Sequence, residues 1–214
     1  MGRGQGWGRI RYHSLMSSQK TSSGKLVLLM GPSGVGKSVI LKELRKRNPA
    51  TFHFPRSATT RARREGEGDD LYHFLSDAEF DALLKNGKLL EWAVVHQGAR
   101  YGTLLSEILP AIDAGKTVIR EVDVQGFESI RSHPLFAGPK ASYTLKSVFI
   151  APENKEQLIS RIRRRAPIAE EELARRIESM EKELAYADLC SATILNREGK
   201  LQEVVREVER MIAG

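Results

Sequence analysis

The sequence holds one cysteine in 214 residues, Cys190, so neither an internal disulfide nor a cysteine-rich metal site can form. That fits a reducing cytoplasm. No apolar run approaches the length needed to span a bilayer, which points to a soluble protein. There is no internal repeat. Residues 1–23 contain no acidic side chain, no periodic apolar face and no hydrophobic stretch long enough for a secretory signal. Rich in Gly, Ser and basic residues, this segment is expected to be a disordered basic tail, with Met16 as an alternative start.

The hydrophobic fraction of 41% is enough for a proper core, in one large domain or a core with small inserts. The formal net charge is +7 and the pI about 9.6. A basic balance suits either nucleic acid or small polyanionic substrates, and the placement of the arginines can arbitrate.

The stretch from Lys25 to Arg47 organises the chain. Leu26 to Met30 is an apolar run of the kind that forms a strand buried on both faces. Gly31, Pro32, Ser33, Gly34, Val35, Gly36, Lys37 and Ser38 follow, matching G-x-x-x-x-G-K-[ST]. Glycines let backbone N–H groups wrap a phosphate, and the helix that begins there adds its positive end. Lys37 is expected on the β/γ-phosphates and the Ser38 hydroxyl on Mg²⁺. Val39, Ile40, Leu41 and Leu44 then give helical apolar spacing.

Further along, Ser57 to Glu67 (SATTRARREGE) crowds hydroxyls with Arg61, Arg63 and Arg64 in a segment without helical spacing. Forked guanidiniums beside hydroxyls suit an oxyanion. Ser76 and Glu79 form a capping box for a helix through Leu84, ended by Asn86-Gly87. Leu89 to His96 is a strand carrying Glu91, a candidate ligand for a base. Thr117 to Asp123 is a second buried strand ending in Glu121 and Asp123, and such a strand end is the usual Mg²⁺ partner of a phosphate loop. Tyr143 to Ala151 is a third core strand. Glu153 to Arg165 and Ala169 to Leu189 are helices, Thr193 to Leu195 a short strand, and Leu201 to Ile212 a closing amphipathic helix. Strands alternating with helices imply an α/β fold with a parallel sheet covered on both sides. The expected division is core at 24–55, 104–153 and 188–214, an inserted α+β module at 56–103, and a helical hairpin at 154–187.

From about Lys25 to Ile212 the sequence resembles the guanylate kinases. The resemblance is carried by GPSGVGKS at 31–38, SATTRARREGE at 57–67, EWA at 91–93, YGT at 101–103, EVDVQG at 121–126 and the Arg-rich hairpin ending in ELAYAD at 183–188. It implies a P-loop three-layer fold in which Mg²⁺-dependent transfer from ATP to GMP gives ADP and GDP. It further implies that Arg61, Arg64, Tyr72 and Tyr101, with Glu67, serve the GMP phosphate. Glu91, Thr103, Ser57 and Asp123 would read guanine. Arg161, Arg165 and Arg176 would close from a lid over ATP and act in catalysis with Lys37 and Arg61. Ser38 and Glu121 would hold the metal, and Asn196 would lie near adenine. The implied partners are ATP and GMP in a monomer or homodimer, with no membrane and no nucleic acid.

The sequence departs from the family pattern in places. Arg63 stands where a proline is common, Arg100 where a second tyrosine is frequent, and Glu121 where an aspartate is frequent. Glu67–Tyr72 is one residue short, Glu91–Tyr101 one residue long, and the lid reads RRRA where a Gly-containing turn is usual. Two rivals share the core: a sugar phosphate kinase such as a ribose bisphosphate kinase, and a non-catalytic guanylate-kinase-like interaction module. The base-reading set argues against the first, and the intact Lys37-Ser38 loop against the second.

Overall fold

The computed structural model describes residues 24–94, 98–165 and 168–213. The tail expected at 1–23 and the end of the strand predicted to reach His96 lie outside the described residues.

The first strand, β1 (Lys25–Met30), is buried from Leu26 onward because both of its faces are covered. Val27 and Leu29 point into one apolar cluster, while Leu26, Leu28 and Met30 point into another. Side-chain alternation along a strand produces this split, and each fully buried Leu or Val contributes about 1.5–3 kcal/mol. After α1 (Lys37–Arg47) and β2 (Phe52–His53) the chain leaves the core to build the insert. The insert consists of β3 (Ser57–Thr59), β4 (Tyr72–Phe74), α2 (Asp77–Lys85), β5 (Leu89–Val94) and β6 (Arg100–Leu104). The core resumes with α3 (Leu105–Asp113), β7 (Thr117–Glu121), α4 (Val124–Arg131) and β8 (Thr144–Pro152). A helical pair, α5 (Lys155–Arg165) and α6 (Glu170–Leu184), precedes β9 (Ala192–Asn196) and α7 (Leu201–Ala213).

The core sheet has the order β2-β7-β1-β8-β9, parallel throughout. The insert has its own mixed sheet, β4-β3-β6-β5. Glu107 of α3 ties the two together. It accepts from the Arg56 backbone and guanidinium at 3.1–3.3 Å, and its Oε1 lies 2.7 Å from His73 Nε2 of β4.

Two elements differ from expectation. The helix predicted to run to Leu189 stops at Leu184, and a 3₁₀ turn covers Ala187–Leu189. Tyr186 packs edge-on against Phe127, 6.0 Å between ring centres, which turns the chain into the second cluster. The stretch ARYGT, which carries no strand signal of its own, forms β6 because β3 and β5 pair with it from either side.

The capping box is formed. Glu79 N donates to Ser76 Oγ at 3.3 Å, and Ser76 N donates to Glu79 Oε2 at 2.7 Å. Ser76→Ala is expected to cost about 1 kcal/mol. Thermal melting should then show a drop in Tm of about 2–4 °C.

Candidate active site

The phosphate loop is shaped by its glycines. Gly31 and Gly36 have φ of +138° and +106°. A Cβ on Gly31 would lie 2.2 Å from the Ile150 carbonyl oxygen, and one on Gly36 would lie 2.6 Å from Asn196 Nδ2. No side chain fits at either position. Lys37 Nζ donates to the carbonyls of Gly31 (2.6 Å) and Pro32 (3.2 Å) and lies 3.6 Å from Glu121 Oε1. Val35 is buried beneath the loop, and its carbonyl accepts from Asn196 Nδ2 at 2.6 Å. Asn196 is buried and its amide braces the loop through this hydrogen bond.

Alternation along β7 distributes charge to two sides of the sheet. Ile119 and Glu121 face the phosphate-loop side, while Val118 and Arg120 face the insert. Asp123 then caps α4, its Oδ1 accepting from Gly126 N at 2.8 Å.

Across the cleft, Glu91 of β5 and Thr103 of β6 are paired in register, and the Thr103 hydroxyl donates a short hydrogen bond to Glu91 Oε1. Arg120 Nη2 lies 3.8 Å from the same oxygen, and Arg120 Nη1 donates to Ser57 Oγ at 2.7 Å. Burial pushes the Glu91 carboxyl above the usual carboxylate range. The Thr103 hydrogen bond and the Arg120 charge pull it back down, and Asp123 adds an upward push.

A third cluster is built on Arg61. Its guanidinium donates to both Glu67 carboxylate oxygens (2.9 and 2.6 Å) and to the Tyr101 hydroxyl (3.0 Å), and it sits 5.3 Å from the Tyr72 ring centre. The Arg61 hydrogen bonds, helped by the Arg64 backbone N–H, bring the Glu67 carboxyl down to about 2. The Arg64 side chain is exposed.

A cavity of about 790 Å³ runs from the phosphate loop to Glu91, lined among others by Lys37, Ser38, Glu91, Arg161 and Arg176, and Tyr101 is the member of the Arg61 cluster that reaches it. From the helical pair, Arg161 Nη1 reaches the Val35 carbonyl at 3.4 Å, and Arg176 is held by Glu172 at 3.3 Å. Arg163 and Arg164 instead face solvent, paired with Glu170 and Glu198. The Arg165 side chain lies outside the described part of the structure.

The departures from the family pattern have local explanations. Arg63 stacks 4.3 Å from the Phe74 ring centre and donates to the Glu67 carbonyl and to Asp69, tying down the loop by contacts where a proline would do so covalently. Arg100 lies over Phe80 and donates to Asp77 and Asp81, fastening β6 to α2. Arg120 was not anticipated as a site residue. The available signal was a lone arginine inside the apolar run of TVIREVD.

A phosphate loop on a parallel sheet, sharing a cavity with polar groups of an inserted sheet, defines the class: a P-loop phosphotransferase with a separate acceptor module. The guanylate kinase family model matches residues 23–214. A guanylate kinase of Nocardia farcinica is 41% identical over 182 residues, 84% of this chain and 90% of that protein. One from Thermobifida fusca is 39% identical over 190 residues, 88% and 91% of the two chains. The crystal structure of guanylate kinase from Anaplasma phagocytophilum shares the fold with a TM-score of 0.62, at 23% identity over 92% of this chain and 88% of that one. The chain belongs to the guanylate kinase family and is an enzyme of the nucleoside monophosphate kinase class.

Proposed function

We propose that the protein transfers the γ-phosphoryl group of ATP to GMP, with Gly31–Ser38 as the ATP site and Glu91, Thr103, Ser57 and Asp123 as the guanine site. The observation that carries this reading is that Lys37 and Glu91 line the same cavity. Guanine shows N1–H and the 2-amino group side by side, and one carboxylate accepts both. Adenine presents a bare N1 acceptor there and leaves the carboxylate unpaired, a mismatch that costs several orders of magnitude when buried.

The nucleophile is a phosphate oxygen that is already anionic, so no general base is needed. The chain's task is to overcome repulsion between two phosphates and to stabilise charge on the transferred group. Lys37 and Arg61 meet that charge from the two substrate sides, and Tyr72, Tyr101 and Arg64 hold the GMP phosphate near Arg61. Arg61 is handed from Glu67 to the incoming phosphate. Arg161, Arg165 and Arg176 belong to a lid, 154–187, that closes over ATP and excludes water.

Ser38 and Glu121 supply hard oxygen donors on the cavity wall, which suits Mg²⁺. Among the described residues no group of three or more His, Cys, Asp or Glu side chains could hold a metal ion. When bound, Mg²⁺ neutralises developing phosphate charge. Among the described residues no helix is long and apolar enough to cross a membrane. A reducing cytoplasm is the compartment proposed from the single cysteine.

A panel of GMP, AMP, CMP, UMP and a ribose phosphate, assayed with ATP and Mg²⁺ by coupled ADP detection, tests the reading. Turnover with GMP far above the rest is expected. Turnover with the sugar phosphate and none with GMP would replace it with the sugar kinase reading, and no turnover with any acceptor would favour the non-catalytic module.

A further inference from the structure

Arg120 enters the guanine pocket from the core sheet, while every other base-facing group proposed except Asp123 comes from the insert. A guanidinium carries five N–H groups. Among the described residues, the Arg120 side chain donates one hydrogen bond, to Ser57 Oγ, and its Nε is buried with no acceptor. The side chain lines the cavity, and the charged or ionisable groups around it are Glu91, Tyr72, Glu121 and Asp123.

The positions around Glu91 give this arginine a direction. Both protein donors, Thr103 Oγ1 and Arg120 Nη2, crowd Oε1 of the carboxylate. A guanine whose 2-amino group takes the open oxygen, Oε2, sets its N1–H toward Oε1. O6 follows N1 on the same edge of the base, so it comes to the flank where Thr103 and Arg120 stand. The Thr103 hydroxyl has a single proton, which is already donated to Glu91. The Ser57 hydroxyl accepts from Arg120, so its own proton is free to donate. Donor supply at that flank therefore comes from Arg120 and from the Ser57 hydroxyl that Arg120 polarises.

We propose that Arg120 is a specificity-determining residue that supplies the hydrogen-bond donors for O6 of guanine, directly and through Ser57, so that the pocket presents donor, acceptor, acceptor to the base's acceptor, donor, donor edge. The proposal rests on the reading of Glu91 as the guanine carboxylate receptor. Within the guanine site, Thr103 then orients Glu91.

Three acceptors separate the two claims. IMP lacks the 2-amino group and probes Glu91. 6-Thio-GMP replaces O6 with sulfur, a far weaker acceptor, and probes Arg120. kcat/KM is measured for GMP, IMP and 6-thio-GMP with the parent enzyme, Arg120→Met, Arg120→Lys and Glu91→Gln. For Arg120→Met, the preference for GMP over 6-thio-GMP is expected to fall about tenfold or more, with the preference for GMP over IMP retained and the KM for ATP unchanged. Arg120→Lys keeps the charge without the fork and should give an intermediate ratio. It also carries the test if the methionine variant is unstable in a melt. For Glu91→Gln the GMP over IMP preference should collapse. Equal losses for GMP and 6-thio-GMP in both Arg120 variants would overturn the proposal and leave Arg120 a structural brace. An unchanged GMP over IMP ratio in Glu91→Gln would instead overturn the underlying reading of Glu91.

Discussion

Lys37→Ala is expected to fold and melt as the parent does while kcat falls by about 10²–10³-fold or more. The side chain adds little to the fold. Its hydrogen bonds go to two carbonyls of its own loop, and its ion pair with Glu121 is long and partly solvated. In the proposed mechanism it places a positive charge where the β/γ-bridge of ATP gains negative charge, and alanine removes that stabilisation at the one step where it matters. Single-turnover phosphoryl transfer, read beside a thermal melt, checks both halves. A variant with near-normal kcat would remove Lys37 from the chemistry.

Glu91→Gln should lower kcat/KM for GMP by about 10²–10⁴-fold and leave ATP binding within about twofold. The substitution keeps the shape of the side chain and one acceptor oxygen. It turns the other oxygen into an NH₂ that faces a guanine donor, so one attraction becomes a clash of two donors. It also takes the negative partner away from Arg120, 3.8 Å away, so a modest fall in Tm accompanies the loss. Steady-state kinetics with each substrate varied in turn, and calorimetry with ATP, separate the two sites. A small effect on GMP turnover would contradict the assignment.

Local features were legible from residue order alone. The strand, loop and helix from Lys25 to Arg47 are contiguous, and each residue type there has one conformational role. The Ser76–Glu79 cap is likewise a four-residue pattern whose partners are neighbours. Features that depend on contacts between distant segments were not legible. β6 holds Arg100 and Gly102 and has weak strand character, and it exists because β3 and β5 bond to it from both sides. Arg120 looks like a charge at the end of a strand until the insert folds back and sets Ser57 and Glu91 against it. Glu67 belongs to a motif but gives no sign in sequence that it occupies the Arg61 fork. Asn196 follows a short strand late in the chain, and its job is visible only once β9 lies beside β8. Sequence reading thus picked out the loop, the carboxylate and the arginines as candidates. It could not say which side chains are already partnered.

The Asn196–Val35 bond also has a bearing on biosynthesis. Its two ends are 161 residues apart, and the phosphate-loop end is made first. A ribosome therefore releases the glycine cradle long before the amide that props it from below. Nascent chains cut short of the final strand would carry the full P-loop motif without the bond that braces it, so the complete loop architecture arrives late in translation, with the same segment that completes the sheet.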